Sequence, residues 1–449
     1  MTLWGGRFKE TPATPVWSYT TDSTDRRLLM VDVEGSLAHV EMLGQVGILT
    51  ATQSAALLDG LSIIRDEAEQ DSFLFKETDE DVHTAVERRL IELVGEVGEM
   101  LHTGRSRNDQ IALDLRLYLR RAAEERIAQI DTLIEVFCTR ALEQADVVVA
   151  SYTHLQPAQK ISLGHHLLAY AWMLTRDAER FAEARKRIAV SPLGAGAGGG
   201  SGLPVDPSLT AAHLGIVPFE NSLDAVSARD FAAEYVFCCA QLMAHLSRLS
   251  EDLVLWASSE FGWIKLPDSM ATGSSALPQK RNPDVPELAR ARTAPVIGDL
   301  TALLALQKGL PLSYNRDLQE DKPAVFDADE VAAATLQVLA ALMETVVFQP
   351  PPPPPETGAV DLAEALVGRG LSHRRAHGAV GELILRLEQE GRSLTEVTEQ
   401  DLAGSPIEAQ DLVVLDLAWW LGRVRSRGAG SADDVRRQVD ALRRIISER

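Results

Sequence analysis

Long stretches without glycine or proline are the feature that most constrains the fold of this 449-residue chain. Neither residue occurs between Gly104 and Pro157, and neither occurs from Arg229 to Phe261. Glycine and proline are the residues that most often terminate helices. The stretches therefore predict unusually long helices, since about 30 helical residues span roughly 45 Å.

Apolar side chains recur within these stretches at alternating spacings of three and four residues, which places them on one face of a helix. Two series with this spacing are Ile127, Ile130, Ile134, Phe137 and Ala141, and Leu242, Leu246, Leu249, Leu253 and Trp256. Further series mix alanine and threonine with leucine, which favours close packing of helices within one body or between subunits. Because sustained alternation of apolar and polar residues is missing, we predict a mainly α fold built as a long-helix bundle.

The charge balance and the cysteines argue against several classes of protein. Lysine and arginine number 44 against 65 aspartate and glutamate residues, a net charge of −21, so nucleic acids and anionic membranes are poor partners. The sequence has no run of 18 apolar residues and no signal peptide, which predicts a cytoplasmic protein. Cys138, Cys238 and Cys239 lie in apolar stretches without CxxC spacing, which predicts neither a disulfide nor a zinc site.

Turn-rich loops suggest three domains. We assign residues 1–105 to an N-terminal helical domain and residues 106–349 to a central long-helix domain. Six consecutive prolines, Pro350 to Pro355, open the last segment, 350–449. This run predicts an extended polyproline II linker that precedes a small C-terminal helical domain.

Three short patterns each have a catalytic or binding interpretation and a simpler structural one. The acidic run Thr78–Asp81 with His83 could form a metal or acid/base site, but a Thr78 cap with carboxylates in the first helical turn explains it better. His373 and His377 have helical spacing but lack an HExxH glutamate, which favours an exposed helix face. The GxGxxG match at 194–199 lacks the strand and helix of a dinucleotide site, so we expect a flexible loop there.

Four polar loops concentrate chemically versatile side chains. They are HTGRSRND at 102–109, SYTHLQPAQ at 151–159, GSSALPQKRNPD at 273–284 and YNRDLQEDKP at 314–323. In the third loop, Lys280 and Asn282 are suited to a carboxylate, and the Gly-Ser-Ser turn can offer hydroxyl and N–H groups to an oxyanion. A solvated loop is the alternative. His154 in the second loop gains an acid/base role only if a partner lies within hydrogen-bond reach.

Eight blocks, in chain order, resemble one enzyme family. The blocks are LWGGRF at 3–8, DEDVH at 79–83, LHTGRSRNDQ at 101–110, YTHLQPAQ at 152–159, VSPLGAGA at 190–197, NSLDAVSARD at 221–230, GSSALPQKRNPD at 273–284 and YNRDLQEDK at 314–322. Together they resemble the fumarase/aspartase superfamily and, within it, the argininosuccinate lyase family. The Ser-Ser loop with P-x-K-x-N is typical of the superfamily, whereas HTGRSRNDQ and LWGGRF are typical of this member.

The resemblance implies a homotetramer whose long helices form a 20-helix core, with each active site built by three subunits. It also implies a small-molecule substrate, argininosuccinate, cleaved into arginine and fumarate by anti elimination across a C–N bond. No metal ion and no organic cofactor is implied.

The resemblance also implies roles for individual residues. Ser274 would take the proton next to a carboxylate, and Lys280 with Asn282 would stabilise the aci-carboxylate that forms. His154 would assist the leaving guanidino nitrogen, oriented by Glu287. The division of base and acid between Ser274 and His154 is left open.

The resemblance implies a second set of residues that contact the substrate, in which Asn282 appears again. They are Thr21, Asp25, Ser106, Arg107, Asn108, Thr153, Arg229, Asn282, Tyr314, Gln319 and Lys322.

Two other functions compete with this interpretation. One is a sibling lyase for another succinyl adduct, such as adenylosuccinate lyase, against which the HTGRSRND loop argues. The other is a crystallin-like structural protein on the same fold. The presence of Ser274, His154, Lys280 and Glu287 argues against a purely structural role.

Overall fold

The structure is a computed structural model that describes residues 12–21, 23–424 and 426–449. The LWGGRF block at 3–8 lies outside the described residues. Fifteen α-helices run through the described part of the chain. They are α1 (Thr14–Thr20), α2 (Leu29–Gln45), α3 (Ala51–Glu69), α4 (Val82–Val94), α5 (Arg107–Glu143), α6 (Leu163–Ile188), α7 (Pro207–His213), α8 (Ser222–Ser227), α9 (Asp230–Ala257), α10 (Asp284–Gln307), α11 (Asp321–Thr345), α12 (Ala359–Gly368), α13 (His373–Gln389), α14 (Leu417–Leu421) and α15 (Ala432–Ser447).

Shorter elements connect these helices. The 3-10 helices are Thr24–Leu28, Gly95–His102, Asp268–Met270, Arg316–Glu320, Pro355–Gly358, Leu394–Glu396 and Ala409–Leu415. The strands are β1 (Val148–Thr153), β2 (Gln156–Ser162), β3 (Val190–Ser191), β4 (Val217–Pro218), β5 (Ile264–Lys265) and β6 (Val347–Phe348). They form three two-stranded pairs, β1 with β2 and β5 with β6 antiparallel, and β3 with β4 parallel.

The predicted long helices are confirmed. Helix α5 has 37 residues and α9 has 28. The predicted face of α5 is buried except at Ile127, which is half-buried, since Ile130, Ile134, Phe137 and Ala141 are each 0% exposed. The fold is therefore mainly α, as the spacing predicts. Within the described residues, no helix combines the length and the apolar character that a membrane span requires.

The described residues pack as two compact units that do not follow chain order. The first unit contains the described residues of 1–127, 179–241 and 293–332, and the second contains those of 128–178, 242–292 and 333–449. Helices α2, α3 and α4 pack against one another in the first unit. Gly60 permits the approach of α3 to α4, because a Cβ there would lie 2.5 Å from a Leu90 methyl group. The three-domain division remains a prediction.

The C-terminal part of the second unit has its own apolar core. Side chains of α12 and α13 supply most of it, among them Leu362, Leu366, Val380 and Leu383, all at most 3% exposed. The residues that follow α13 complete this core through the 3-10 helix Ala409–Leu415 and α14.

Several local predictions need correction or refinement. Asp81, not Thr78, caps α4, because its carboxylate accepts the Thr84 N–H at 2.7 Å. The proline run reaches Pro354 with φ −53° and ψ 138°, but Pro355 already opens a 3-10 helix, where the fixed φ of proline is favourable. Helix α5 ends well before Pro157, and the β1–β2 hairpin follows it.

The expected burial of the cysteines and the expected exposed helix face at His373 and His377 agree with the structure. Cys138, Cys238 and Cys239 are buried free thiols. His373 and His377 lie exposed on α13, with ring centroids 6.2 Å apart.

Candidate active site

A polar pocket lies within the first unit. Its lining consists of Asp25, Glu80, Asp81, His83, Arg107, Asn108, Ile111, Tyr314, Arg316, Gln319 and Lys322. Six of these are among the residues that the sequence predicts to contact the substrate, namely Asp25, Arg107, Asn108, Tyr314, Gln319 and Lys322. Segments far apart in sequence meet here, because the first turns of α4, α5 and α11 converge with the 3-10 helices Thr24–Leu28 and Arg316–Glu320.

Asp81 and Arg107 form the charged wall of the pocket. The guanidinium of Arg107 contacts both carboxylate oxygens of Asp81 and donates to the Thr84 hydroxyl at 3.0 Å. Burial alone would raise the pKa of Asp81, but the nearby charges of His83 and Arg107 and the hydrogen bonds from Thr84 outweigh it, so the pKa is lowered. Asp81 therefore stays ionised and orients Arg107 at the start of α5.

Asp25 presents an unpaired carboxylate oxygen. Its Oδ2 accepts the Val82 N–H at 3.2 Å, whereas its buried Oδ1 has no hydrogen-bond partner among the described residues. Burial raises the pKa of Asp25 to about 6, although the charge of His83 and the Val82 N–H act in the opposite direction. An unpartnered buried oxygen is costly, so a cationic or N–H donor on a ligand would be favoured at this position.

His83 connects the pocket to a buried polar network. Its Nδ1 lies 2.8 Å from Asp32 Oδ1 and 3.6 Å from Asp114 Oδ2. Burial and the charge of Asp32 raise the pKa of Asp114 well above its usual value. Burial opposes ionisation of Asp32 as well, but the charges of His83 and Arg105 and hydrogen bonds from His83 and Gln110 outweigh it, so the pKa of Asp32 is lowered.

This network has the ligand types of a metal site, since Asp32, His83 and Asp114 each offer an atom within 4.8 Å of the others. The half-buried guanidinium of Arg105 interacts with both carboxylates and already supplies compensating positive charge. The raised pKa of Asp114, caused by burial and the charge of Asp32, favours its neutral form, which further reduces the negative charge of the network. We therefore interpret the network as one that holds the His83 ring in position.

Arg229 lies outside the lining of the pocket. Its Nε donates to Asp321 Oδ2 at 2.6 Å, and both side chains are at most 1% exposed. Lys322, which does line the pocket, donates to Asp321 Oδ1 at 3.1 Å. Arg229 thus acts on the pocket through Asp321, which places the ammonium of Lys322.

Asp109 anchors the glycine-rich loop that follows β3. Its Oδ2 accepts the N–H groups of Gly196 at 2.8 Å and Gly194 at 3.2 Å, and its Oδ1 accepts the Ser106 N–H at 2.9 Å. Burial raises the pKa of Asp109 to about 6 despite these hydrogen bonds. Gly194 and Gly196 have φ of +102° and +58°, values that favour glycine. The loop expected to be flexible is therefore held at two of its residues.

Thr21 and Ser106 are the other predicted residues of the first unit. The Thr21 hydroxyl donates to Trp17 O at 2.7 Å, and Thr21 shares a shallow depression with Asp25 and Asp81. The Ser106 hydroxyl accepts the Asn108 N–H at 3.3 Å at the start of α5. Thr21 lies at the rim of the pocket, while Ser106 shapes the turn that presents Arg107 and Asn108.

His154 lies at the tip of the β1–β2 hairpin in the second unit. Thr153 pairs with Gln156, so His154 and Leu155 form a two-residue turn, and both have φ of +56°. Positive φ at both positions matches the twist of a hairpin but is uncommon for side chains other than glycine and asparagine. His154 and Thr153 are exposed. The hairpin thus presents an exposed imidazole in a strained turn.

Ser274 lies in a loop closed by backbone pairing of Thr272 with Asn282. Its hydroxyl oxygen accepts the N–H groups of Ala276 at 3.3 Å and Leu277 at 3.2 Å. Two N–H groups directed at one oxygen stabilise negative charge on it. Asn282 donates to Gly273 O at 3.4 Å.

Lys280 and Glu287 are exposed, Lys280 on the Ser274 loop and Glu287 in the first turn of α10. Neither side chain has a hydrogen bond or ion pair described within the second unit. The second unit therefore carries six predicted residues on two segments, the hairpin tip and the Ser274 loop with the start of α10: Thr153, His154, Ser274, Lys280, Asn282 and Glu287.

Some lining residues and one element were not predicted as substrate contacts. Glu80, Asp81 and His83 belong to the DEDVH block, whose residues are better explained from the sequence as the start of a helix. The hairpin was missed, although the run of Val147, Val148 and Val149 is a β-propensity signal.

Comparison with known proteins gives consistent matches. A family model described as lyase matches residues 6–298, and one described as argininosuccinate lyase C-terminal matches residues 356–421. The chain is 44% identical over 455 residues to the argininosuccinate lyase of Nitratidesulfovibrio vulgaris (strain DSM 19637 / Miyazaki F), with 99% of each chain covered. It is 48% identical over 410 residues to that of Desulforudis audaxviator (strain MP104C), with 89% of this chain and 88% of the relative covered.

A solved structure of similar fold is EDDS lyase in complex with formate. Its TM-score is 0.82 at 27% identity, and the match covers 96% of this chain and 88% of that one. The chain therefore matches argininosuccinate lyases over nearly its full length and shares its fold with a solved lyase structure.

Proposed function

The chain belongs to the argininosuccinate lyase family, and we propose that it cleaves argininosuccinate reversibly into L-arginine and fumarate, a step of arginine biosynthesis. The main support for this proposal is that one pocket combines groups of opposite charge. The unpaired Oδ1 of Asp25 favours a cationic group, while Arg107 and Lys322 favour carboxylates. Argininosuccinate carries a guanidinium, an ammonium and three carboxylates, so it can satisfy both preferences at once.

The first chemical step is removal of a proton from the carbon next to a carboxylate. We assign it to Ser274 acting as an alkoxide, after its hydroxyl proton has passed to water before the loop closes over the substrate. The N–H groups of Ala276 and Leu277 donate to its oxygen and would stabilise the negative charge that it carries until it takes the proton. The C–H electron pair moves into the carboxylate, which becomes a dianionic aci-carboxylate. Lys280 and Asn282 belong to the same loop and would stabilise that charge once water is excluded.

The second step breaks the C–N bond. The electron pair leaves with the guanidino nitrogen, and His154 delivers a proton to it, oriented by Glu287. Fumarate and arginine result. The proposed chemistry uses proton transfer and hydrogen-bond stabilisation, so it calls for no metal ion and no organic cofactor.

The remaining predicted residues hold the substrate in this scheme. Asp25 would bind a cationic group, and Asn108, Tyr314, Gln319 and Lys322 would bind its polar ends from the same pocket. Thr21, Ser106 and Thr153 would complete the contacts. Arg229 would act through Asp321 and Lys322.

We also propose a cytoplasmic homotetramer in which each active site combines residues of three subunits. Helix α10 supports subunit packing, because it exposes Leu288, Ile297 and Leu304 at 52%, 49% and 57% while only a narrow stripe of it is buried. Exposed large apolar side chains on a long helix mark a surface that another helix covers. Burial of all three thiols agrees with a reducing compartment.

The substrate is tested by following the ultraviolet absorbance of fumarate after mixing the protein separately with argininosuccinate and adenylosuccinate. Fumarate from argininosuccinate alone is the expected result. Release from adenylosuccinate instead would point to the sibling lyase. An intact oligomer that releases fumarate from neither would point to the structural role.

Shared sites are tested by mixing inactive variants. Ser274→Ala alters the Ser274 loop, and Asp25→Asn alters the pocket. If the loop and the pocket of one site come from different subunits, a mixed tetramer contains some sites in which both parts are native. Unfolding and refolding the two variants together should therefore restore native sites. Ser274→Ala refolded with Lys280→Ala is the matched control, because both changes fall in one loop and no native site can form. Absence of recovery in the first mixture would contradict shared sites.

A further inference from the structure

Lys160 is a buried lysine on β2, in the same hairpin as His154. Its side chain is 2% exposed, and its ammonium lies 2.9 Å from Asp361 Oδ2. It also donates to Val414 O at 2.9 Å and lies 5.6 Å from the centre of the Trp420 ring. Burial of a lysine ammonium is costly unless it is paired and hydrogen-bonded. The three contacts together meet that requirement.

The partners of Lys160 form a cradle built from separate elements. Asp361 lies on α12, Val414 on the 3-10 helix Ala409–Leu415 and Trp420 on α14. The Trp420 Nε1–H donates to Asp361 Oδ1 at 3.1 Å, so the anion and the ring are fixed relative to each other. Gly358 leaves room for the cradle, since a Cβ there would lie 2.7 Å from a Leu415 methyl group and 3.7 Å from the ammonium.

The hairpin transmits this anchoring along its backbone. Lys160 pairs with Ala150 across the two strands, and Thr153 pairs with Gln156 next to the turn. The pairing register shifts between Ala150 and Tyr152, where the Ser151 hydroxyl donates to Gln159 O at 3.0 Å and accepts the Gln159 N–H at 3.1 Å, so the strands stay connected across the shift. The ammonium therefore fixes the base of a hairpin whose tip is exposed. On β1 near the tip, the Tyr152 ring contacts the rings of Phe261 and Trp263.

We propose that Lys160 is a positioning residue that locks the His154 hairpin to the C-terminal residues 356–421 and so sets the position from which His154 delivers its proton. This inference rests on the proposed role of His154. Under this proposal the C-terminal helices affect the chemistry through the position of His154 and need no contact with the substrate.

The test starts from Lys160→Met, which keeps the length of the side chain and removes its charge. We expect kcat to fall at least tenfold with KM within twofold of the original, because a displaced proton donor affects the transition state more than substrate binding. Lys186→Met is the matched control. That lysine forms an ion pair with Glu183 on the surface, at 2.6 Å, and its loss should leave both constants unchanged.

A second variant separates positioning from simple destabilisation. Lys160→Met leaves the partly buried carboxylate of Asp361 without its cationic partner, whereas Lys160→Met with Asp361→Leu removes that charge as well. We expect the double variant to recover thermal stability while kcat stays low. Recovery of kcat together with stability, or an unchanged kcat in Lys160→Met, would overturn the proposal.

Amide hydrogen exchange provides a readout that needs no turnover. Exchange at residues 151–159 should accelerate in Lys160→Met and remain unchanged in Lys186→Met. If the original protein releases no fumarate, the proposed function fails, and this exchange measurement alone decides the anchoring. Unchanged exchange at 151–159 would then overturn it.

Discussion

Arg229 and Asp321 form an ion pair that is closed to solvent, with 2.6 Å between Nε and Oδ2. The two residues are separated by 92 positions in the chain. The other oxygen of Asp321 binds the ammonium of Lys322, which lines the pocket. The buried carboxylate of Asp321 thus connects Arg229, which lies outside the pocket, to Lys322, which lines it.

Loss of the Arg229 charge should destabilise the protein strongly. Arg229→Met leaves Asp321 buried with only Lys322 to compensate it, and breaking a buried pair in this way costs about 3–5 kcal/mol. Urea denaturation measures the change. Arg187→Met, which removes the exposed pair with Glu234, is the control and should change stability little. Equal effects of the two substitutions would contradict the argument.

Asp25 should make activity dependent on pH. Its pKa is raised to about 6, so the carboxylate is neutral below that pH and cannot attract a cationic group of the substrate. We expect kcat/KM to fall as the pH drops below about 6. Asp25→Asn should lower kcat/KM throughout and remove this part of the pH profile. A profile between pH 5 and 8 that is the same in both proteins would exclude Asp25 as the titrating group.

Asp109 should make the folded protein less stable as the pH rises. Its pKa is about 6 in the folded protein and 3.8 ordinarily, so the folded state binds the proton more tightly. Protonation therefore stabilises the fold, and this contribution is present below about pH 4 and lost as the pH rises through about 6. At about 1.4 kcal/mol per pH unit it amounts to about 3 kcal/mol.

Asp109→Asn removes that titration. The free energy of unfolding of the original protein, relative to the variant, should decline by about 2 kcal/mol of this amount between pH 4 and 6, because the rest of the change falls outside that range. Comparing the two proteins cancels the titration of other groups, including His39, whose pKa burial lowers to about 3. A difference that does not vary with pH would show that Asp109 is ionised throughout.

His154→Asn should abolish proton delivery without disturbing the turn. Asparagine accepts the φ of +56° that His154 adopts, but it cannot act as an acid. We expect kcat to fall by about 10²–10⁴-fold, the usual contribution of general acid catalysis. Leu155→Asn is the matched control, since it places the same residue at the neighbouring position with the same φ and should retain kcat. An unchanged kcat in His154→Asn would rule out the assigned role.

The helical framework was predictable because its signal is local. The three-and-four spacing of Ile130, Ile134, Phe137 and Ala141 requires no knowledge of the rest of the chain, and these residues are buried. The β1–β2 hairpin was harder to predict. Its turn uses His154 and Leu155 at positive φ instead of the Asn-Gly pair that signals such turns.

The pocket was only partly predictable. The family resemblance supplied Asp25, Arg107, Asn108, Tyr314, Gln319 and Lys322, which the structure brings together. Contacts between distant segments were not visible in the sequence. The Arg229–Asp321 pair and the Asp109 contacts with Gly194 and Gly196 depend on how separate helices and loops meet.

The most direct test of the proposed elimination compares fumarate release from argininosuccinate by the original protein and by Ser274→Ala. We expect release by the original protein and a fall of roughly 10³-fold in the variant, with substrate binding and oligomeric state retained. Ser259→Ala, an exposed serine of the second unit, is the control and should release fumarate at the original rate. Full turnover by Ser274→Ala would contradict the assignment of Ser274 as the base.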